Sequence, residues 1–192
     1  MDKLFIALIS HATEAEVQDA RLGTRFGRMD LMSQLALLAV ESLKINFDEL
    51  PRERVAICLA ARASSLSTDA QYWGGRNTPG GFSPTLFTYT LPSAAIGELA
   101  IRHRLTGPQL CFVGTSKDVL PEAVDLIQRG EVDGCVCVSA NVVSAALSQI
   151  ISVPKAARAC ALFLQKNGDG LCELGEFDRD MESLCAKFRQ QF

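Results

Sequence analysis

The sequence has no surplus of charge of either sign. Its 19 lysines and arginines stand against 22 aspartates and glutamates, a formal net charge of −3. The two signs are mixed along the chain, so no basic stripe is left for a nucleic-acid backbone or an anionic membrane. Long apolar runs are missing too: none approaches the ~18 residues that cross a bilayer, and no membrane span is expected. Histidine is scarce, only His11 and His103, and Trp73 is the single tryptophan. With so few imidazoles a Cys/His metal set is not expected, and Cys135-Val136-Cys137 lacks the spacing of a redox CxxC. The glycine pairs Gly74-Gly75 and Gly80-Gly81 form neither a dinucleotide nor a P-loop pattern. No metal, nucleotide, flavin or other cofactor is expected.

What is present is a mixture able to form a core, 48% apolar over 192 residues. A domain near ~150 residues already buries ~68–70% of the surface its unfolded chain exposes, so one domain over 1–192 is the expectation. Of the seven cysteines, Cys58, Cys111, Cys135, Cys137 and Cys160 fall in apolar, strand-like stretches. There they act as small hydrophobes, reduced thiols of a cytoplasmic protein. Met1 to Ser10 reads as a first strand, not a signal peptide.

Strand and helix alternate along the chain. Lys3 to Ile9 is a short apolar strand, and Met29 to Leu43 carries a helical stripe with Asp30 and Ser33 suited to its first turn. Arg54 to Ala61 is β-favouring throughout, the pattern of a strand covered on both faces. Ser64 to Thr90 is rich in glycine and proline, with a short helix expected from Thr68-Asp69 through Trp73; such a long irregular stretch belongs to function or to an interface. Pro92 opens a helix ending at Arg102-His103-Arg104, where Gly97 is expected to allow close backbone packing. Gln109 to Val113 is a strand, Pro121 to Gln128 a helix and Gly134 to Ser139 a buried strand. Ala159 to Gln165 and Leu171 to Phe177 flank Asn167-Gly168-Asp169-Gly170, a hairpin turn. Asp178 to Phe192 reads as a helix with Met181, Leu184, Cys185 and Phe188 on one side. The expected fold is α/β, layered α-β-α with a mixed, mainly parallel sheet.

The chemically informative unit is Cys111-Phe112-Val113-Gly114-Thr115-Ser116-Lys117-Asp118-Val119-Leu120-Pro121. A buried strand that turns through small residues into a helix sets a side chain where backbone N–H groups favour negative charge. Thr115 and Ser116 are equally ordinary N-cap residues, and Asp118 suits a first helical turn.

The segment Ser83 to Ile101, followed by Leu105-Thr106-Gly107-Pro108, resembles the N-terminal half of β-ketoacyl synthases, where a similar stretch leads through a Gly-Pro pair and a strand to the catalytic cysteine elbow. Gly27-Arg28-Met29-Asp30 is similar to the family's RRMD segment and Arg129-Gly130-Glu131-Val132-Asp133 to its RxGxAD. Ala156 to Leu164 and the strand after it resemble the end of that half. The pieces come in family order over nearly the whole chain, and the resemblance implies a thiolase-like N-terminal half.

By that resemblance, Ser116 stands where the family has its nucleophilic cysteine. A helix N-terminus can bring a thiol from about 8.5 to ~3.5–7.5, but an alcohol is too weak an acid for the same field, so a serine there needs an adjacent base. The family's two active-site histidines belong to a second half that this sequence, ending at Phe192, does not include, and neither His11 nor His103 matches them. Pro121 fits as a first helical residue and would loosen a turn over Ser116. The resemblance therefore implies an impaired or non-catalytic partner module of fatty-acid or polyketide-type biosynthesis. It would be a homodimer, or a heterodimer with a ketosynthase, joined at the strand Gln109, Leu110, Cys111, Phe112, Val113 and through Trp73, Phe82, Phe87 and Tyr89. An acyl carrier protein is a further partner, with Arg76, Arg102 and Arg104 as basic residues to meet it. Two enzymatic alternatives remain: a Ser116-dependent acyltransferase or hydrolase, with His103 as its only candidate base, or half of a split ketosynthase completed by another chain.

Overall fold

The computed structural model describes residues 4–151, 153–166, 172–173 and 180–184. Its six-stranded sheet has the order β3-β2-β4-β5-β1-β6, made of β1 (Leu4–Thr13), β2 (Val55–Ala60), β3 (Gln109–Phe112), β4 (Gly134–Val143), β5 (Ala156–Lys166) and β6 (Cys172–Glu173). β2 pairs in parallel with β3 and β4, whereas β5 runs antiparallel to β4 and β1, and β6 antiparallel to β1. Four strands therefore point one way and β5 and β6 the other, a mixed sheet with one predominant direction.

Both faces are covered, which is why all six residues of β2 are buried. On one face, Ile57, Leu59, Val136, Val138 and Phe163 pack with the helices α2 (Leu31–Ser42) and α5 (Ala94–His103). On the other, Ala56, Cys58, Cys135, Cys137 and Leu162 meet α6 (Val119–Gln128) together with Met181 and Leu184. This in-and-out alternation follows from the two-residue period of a strand and gives the three layers expected from the sequence. The Asp30 carboxylate caps α2, accepting the Ser33 N–H at 3.0 Å and the Thr68 hydroxyl at 2.7 Å. The short helix α1 (Glu14–Asp19) follows β1, and between β2 and α5 the chain forms α3 (Leu66–Gly74) and the single turn α4 (Pro84–Phe87). The exposed helix α7 (Ala145–Ile151), which the sequence pattern did not signal, joins β4 to β5.

Several expectations are corrected. β5 cannot form a hairpin with the segment after it, because β4 and β1 occupy both its edges; β6 instead adds to β1. The turn Asn167 to Gly170 lies outside the described residues, as does the chain after Leu184, where Cys185 and Phe188 fall. Pro121 is not the first helical residue: a 3-10 turn over Ser116–Asp118 precedes α6, which opens at Val119. Pro121 then sits within the first turn, where N–H groups have no intrahelical partner, so the missing donor costs nothing. Gly97 makes no close backbone approach, since a Cβ built there meets no atom within 4 Å. Gly97→Ala is accordingly expected to stabilise the protein by about 0.8–1 kcal/mol through helix propensity alone, measurable in urea denaturation.

Candidate functional site

β3 ends in a small-residue turn for a steric reason. A Cβ at Gly114 would lie 2.6 Å from the Asp118 carboxylate, whose Oδ2 accepts the Thr115 N–H at 2.7 Å and the Thr115 hydroxyl at 3.1 Å. Asp118 thus closes the turn back on itself. Ser116 follows, buried at 4% exposure, and its hydroxyl donates to Oδ1 of Asp180, 64 residues further along the chain. Asp180 also accepts the Glu182 N–H and the Ser183 hydroxyl, each at 3.2 Å. Burial pushes the Asp180 carboxyl up, but the donors Ser116, Glu182 N–H and Ser183, with the charge of Lys117, outweigh it and hold the group below its ordinary range.

Neighbouring contacts seat the same segment. Glu182 accepts the Asn141 amide at 3.2 Å, the Ser139 hydroxyl at 3.3 Å and the Arg158 guanidinium at 3.0 Å. Met181 and Leu184 enter the core beside α6. Asp180, which the sequence pattern placed only near the start of a terminal helix, is therefore the main residue of this site that sequence reasoning missed. No motif links it to Ser116, and only the packing of 180–184 on the sheet brings them together.

The imidazoles are elsewhere. His103 ends α5 on the opposite face of the sheet from α6 and near the start of β3, whereas Ser116 follows the end of that strand. Its ring packs on Phe47 with centroids 4.5 Å apart. His11 lies in β1, 4.0 Å from Glu16. Among the described residues, no thiol stands in for a nucleophile at the elbow. Cys111 packs toward the α5 face, and burial raises its pKa. Cys58, Cys135 and Cys137 form a buried cluster under α6, Cys135 and Cys137 with sulfurs 3.7 Å apart. The Cys58 thiol is held up by its hydrogen bond with Cys135 and by burial, the other two first by burial.

β3 is an edge strand, with one side of its ladder unpaired among the described residues. Gln109 is exposed, Leu110, Cys111 and Phe112 are half-buried, and Val113 just beyond is 68% exposed. Trp73, Phe82 and Phe87 are exposed. The Tyr72 ring lies 4.8 Å from Phe82 and 5.4 Å from Phe87, the Trp73 ring lies 6.1 Å from Phe82, and the Arg76 guanidinium sits 5.0 Å from the Trp73 ring. Tyr89 is a correction: it is buried at 7% and its hydroxyl donates to Glu98 at 3.0 Å, so it serves the core and presents no interface surface. Arg76 and the pair Arg102 and Arg104 lie at opposite ends of the sheet and form no single basic patch. Among the described residues, most exposed large apolar side chains, Leu66, Trp73, Phe82, Phe87, Leu91, Val113 and Ile150, lie on segments that follow the ends of β2, β3 and β4. Because those strands are parallel, that apolar surface gathers at one end of the sheet.

No protein-family model matches the chain, and no curated protein matches it. Solved structures do. A chain of the complex of the ketosynthase ApeO with its chain length factor ApeC from Xenorhabdus doucetiae superposes with a TM-score of 0.66 at 16% identity, over 86% of this chain and 80% of that one. A chain of AntDE:AntF, a type II polyketide synthase acyl-carrier protein in complex with its ketosynthase bound to the hexaketide, gives 0.72 at 14% identity, over 95% and 71%. The ishigamide ketosynthase/chain length factor gives 0.67 at 18%, over 85% of this chain and 62% of that chain. The protein shares the fold of these ketosynthase and chain-length-factor structures. Among the described residues no helix is long and apolar enough to cross a membrane.

Proposed function

We propose that the protein is a ketosynthase-like partner subunit of a polyketide- or fatty-acid-type synthase, one that performs no condensation through its own elbow. The observation that carries this reading is the Ser116 hydroxyl, buried and donating to the Asp180 carboxylate. A nucleophilic serine needs a base that takes its proton. A carboxylate held below its ordinary pKa is a poor one, and no imidazole lies beside Ser116 among the described residues. Ser116 standing at the family's cysteine position belongs to the same proposal. The exposed edge of β3 and the apolar end of the sheet supply what a partner needs: unpaired strand groups next to aromatic anchors. The partner in this reading is a ketosynthase, or a second copy of the chain, with an acyl carrier protein as the substrate carrier.

Two measurements on one preparation test it. An acyl-thioester or phosphonate probe is expected to leave the protein unlabelled, with Ser116→Ala indistinguishable from the parent; labelling that disappears in Ser116→Ala overturns the non-catalytic reading. In sedimentation, alone and mixed with a complete ketosynthase, the chain is expected to dimerise, and Val113→Asp to weaken that association by roughly tenfold or more. A monomer under both conditions removes the partner reading.

A further inference from the structure

Residues 180–184 are gripped from the ends of three strands at once. Ser116, which follows β3, donates to Asp180. Ser139 and Asn141 of β4 donate to Glu182 at 3.3 and 3.2 Å, and Arg158 of β5 donates to its other oxygen at 3.0 Å. β5 runs antiparallel to β4 with Arg158 opposite Asn141, so all four donors stand at the same end of the sheet. Between the two carboxylates, Met181 is fully buried, and Leu184 follows it into the cluster under α6.

The two parts of this grip differ in kind. Ser116 and Ser139 are buried polar groups, 4% and 2% exposed, and a buried hydroxyl needs an acceptor. Both find theirs in the segment. Glu182 and Arg158 keep 30% and 66% of their side chains exposed, so the outer part of the grip lies at the surface, where an ion pair adds little. Asp180, held below the ordinary carboxylate range by its donors and by Lys117, stays ionised at neutral pH. A nucleophile at position 116 therefore meets a fixed negative charge as well as a cover, and a like charge disfavours its anionic form.

We propose that residues 180–184 are a built-in plug, an autoinhibitory contact that shuts the elbow against an acyl group and against the catalytic groups of any second chain. A chain bringing histidines to Ser116 would first have to displace Asp180, so the plug rules out completion as half of a split ketosynthase. It leaves the partner the β3 edge and the apolar end of the sheet. The inference rests on the reading of a non-condensing partner subunit and supplies the physical reason for its silence.

Ser116→Cys makes the plug measurable, because alkylation by iodoacetamide needs a sulfur that is both reachable and ionised. Peptide mass mapping reads that sulfur against Cys58, Cys135 and Cys137, which are fully buried and report whether the core has stayed closed. At neutral pH the introduced thiol is expected to react at least roughly tenfold more slowly than glutathione in the same tube. Adding Asp180→Ala is expected to raise its rate roughly tenfold. Adding Arg158→Ala, which changes an exposed side chain and leaves the Asp180 charge in place, is expected to raise it roughly threefold through loosening alone. Should Asp180→Ala also open the core thiols, the Arg158→Ala rate decides. Fast alkylation in Ser116→Cys by itself, or no rise on loosening the segment, overturns the plug. Acyl-probe labelling of Ser116 in the parent overturns instead the non-condensing reading beneath it, so the two failures are told apart.

Discussion

Gly107→Ala is expected to be the most damaging single methyl that can be added to this protein. The new Cβ would sit 2.3 Å from the Val55 carbonyl oxygen, 2.9 Å from its carbon and 3.0 Å from the Glu53 oxygen. All three are backbone atoms, so no rotamer change relieves the clash. The contact is fixed on both sides: Thr106 N–H donates to the Arg52 carbonyl at 3.2 Å and Ile57 N–H to the Pro108 carbonyl at 2.9 Å. The strand β3 must therefore move relative to β2, costing at least ~3 kcal/mol. For a chain of this size that lowers the thermal midpoint by roughly 6–12 °C. A calorimetric scan checks it, and a shift under about 2 °C would show that the turn yields. The displaced strand also carries the proposed partner edge, so association should fall with stability.

Glu98→Ala is expected to cost about 2–4 kcal/mol. Glu98 is buried at 8% and accepts Arg25 Nε at 2.6 Å, Arg25 Nη2 at 3.0 Å and the Tyr89 hydroxyl at 3.0 Å. Arg25 is 61% exposed and can return to water, so most of the penalty falls on Tyr89, left with a buried hydroxyl and no acceptor. In a Tyr89→Phe background the cost of Glu98→Ala should shrink, which a double-mutant cycle measures. The pair also sets an alkaline limit. Burial first, then the hydrogen bond to Glu98, pushes the Tyr89 pKa up to about 12 from its ordinary 10. The unfolded chain releases that proton first, so stability is present below pH ~10 and falls as pH rises toward ~12. Tyr89→Phe should flatten that limb in denaturant melts followed across the range.

Local pattern made β2 and the two covered faces of the sheet legible, because a wholly apolar strand admits few other readings. Strand neighbours were not legible. Alternation along Ala156 to Lys166 states which residues point to which face, but not that β1 rather than β6 would take the free edge. Tyr89 misled because an aromatic in a Gly- and Pro-rich segment reads as surface, and its acceptor Glu98 is marked by charge, not burial. The elbow was legible as a strand, a turn and a helix, and Gly114 is explained by Asp118 four residues on. Its chemistry was not, because the group that holds Ser116 arrives from 64 residues away.

The order of the sheet also has a consequence for synthesis. β1 is made early, yet its first residue, Leu4, pairs with Lys166 of β5. At ~5–20 residues per second the ribosome needs roughly ten to thirty seconds to bring that partner out. Meanwhile β2, β3 and β4 can already assemble in parallel with α5 and α6. The nascent chain thus carries an apolar strand that can lie on α2 but has no strand to pair with, an aggregation risk that lasts until β5 emerges and closes both open ladders at once.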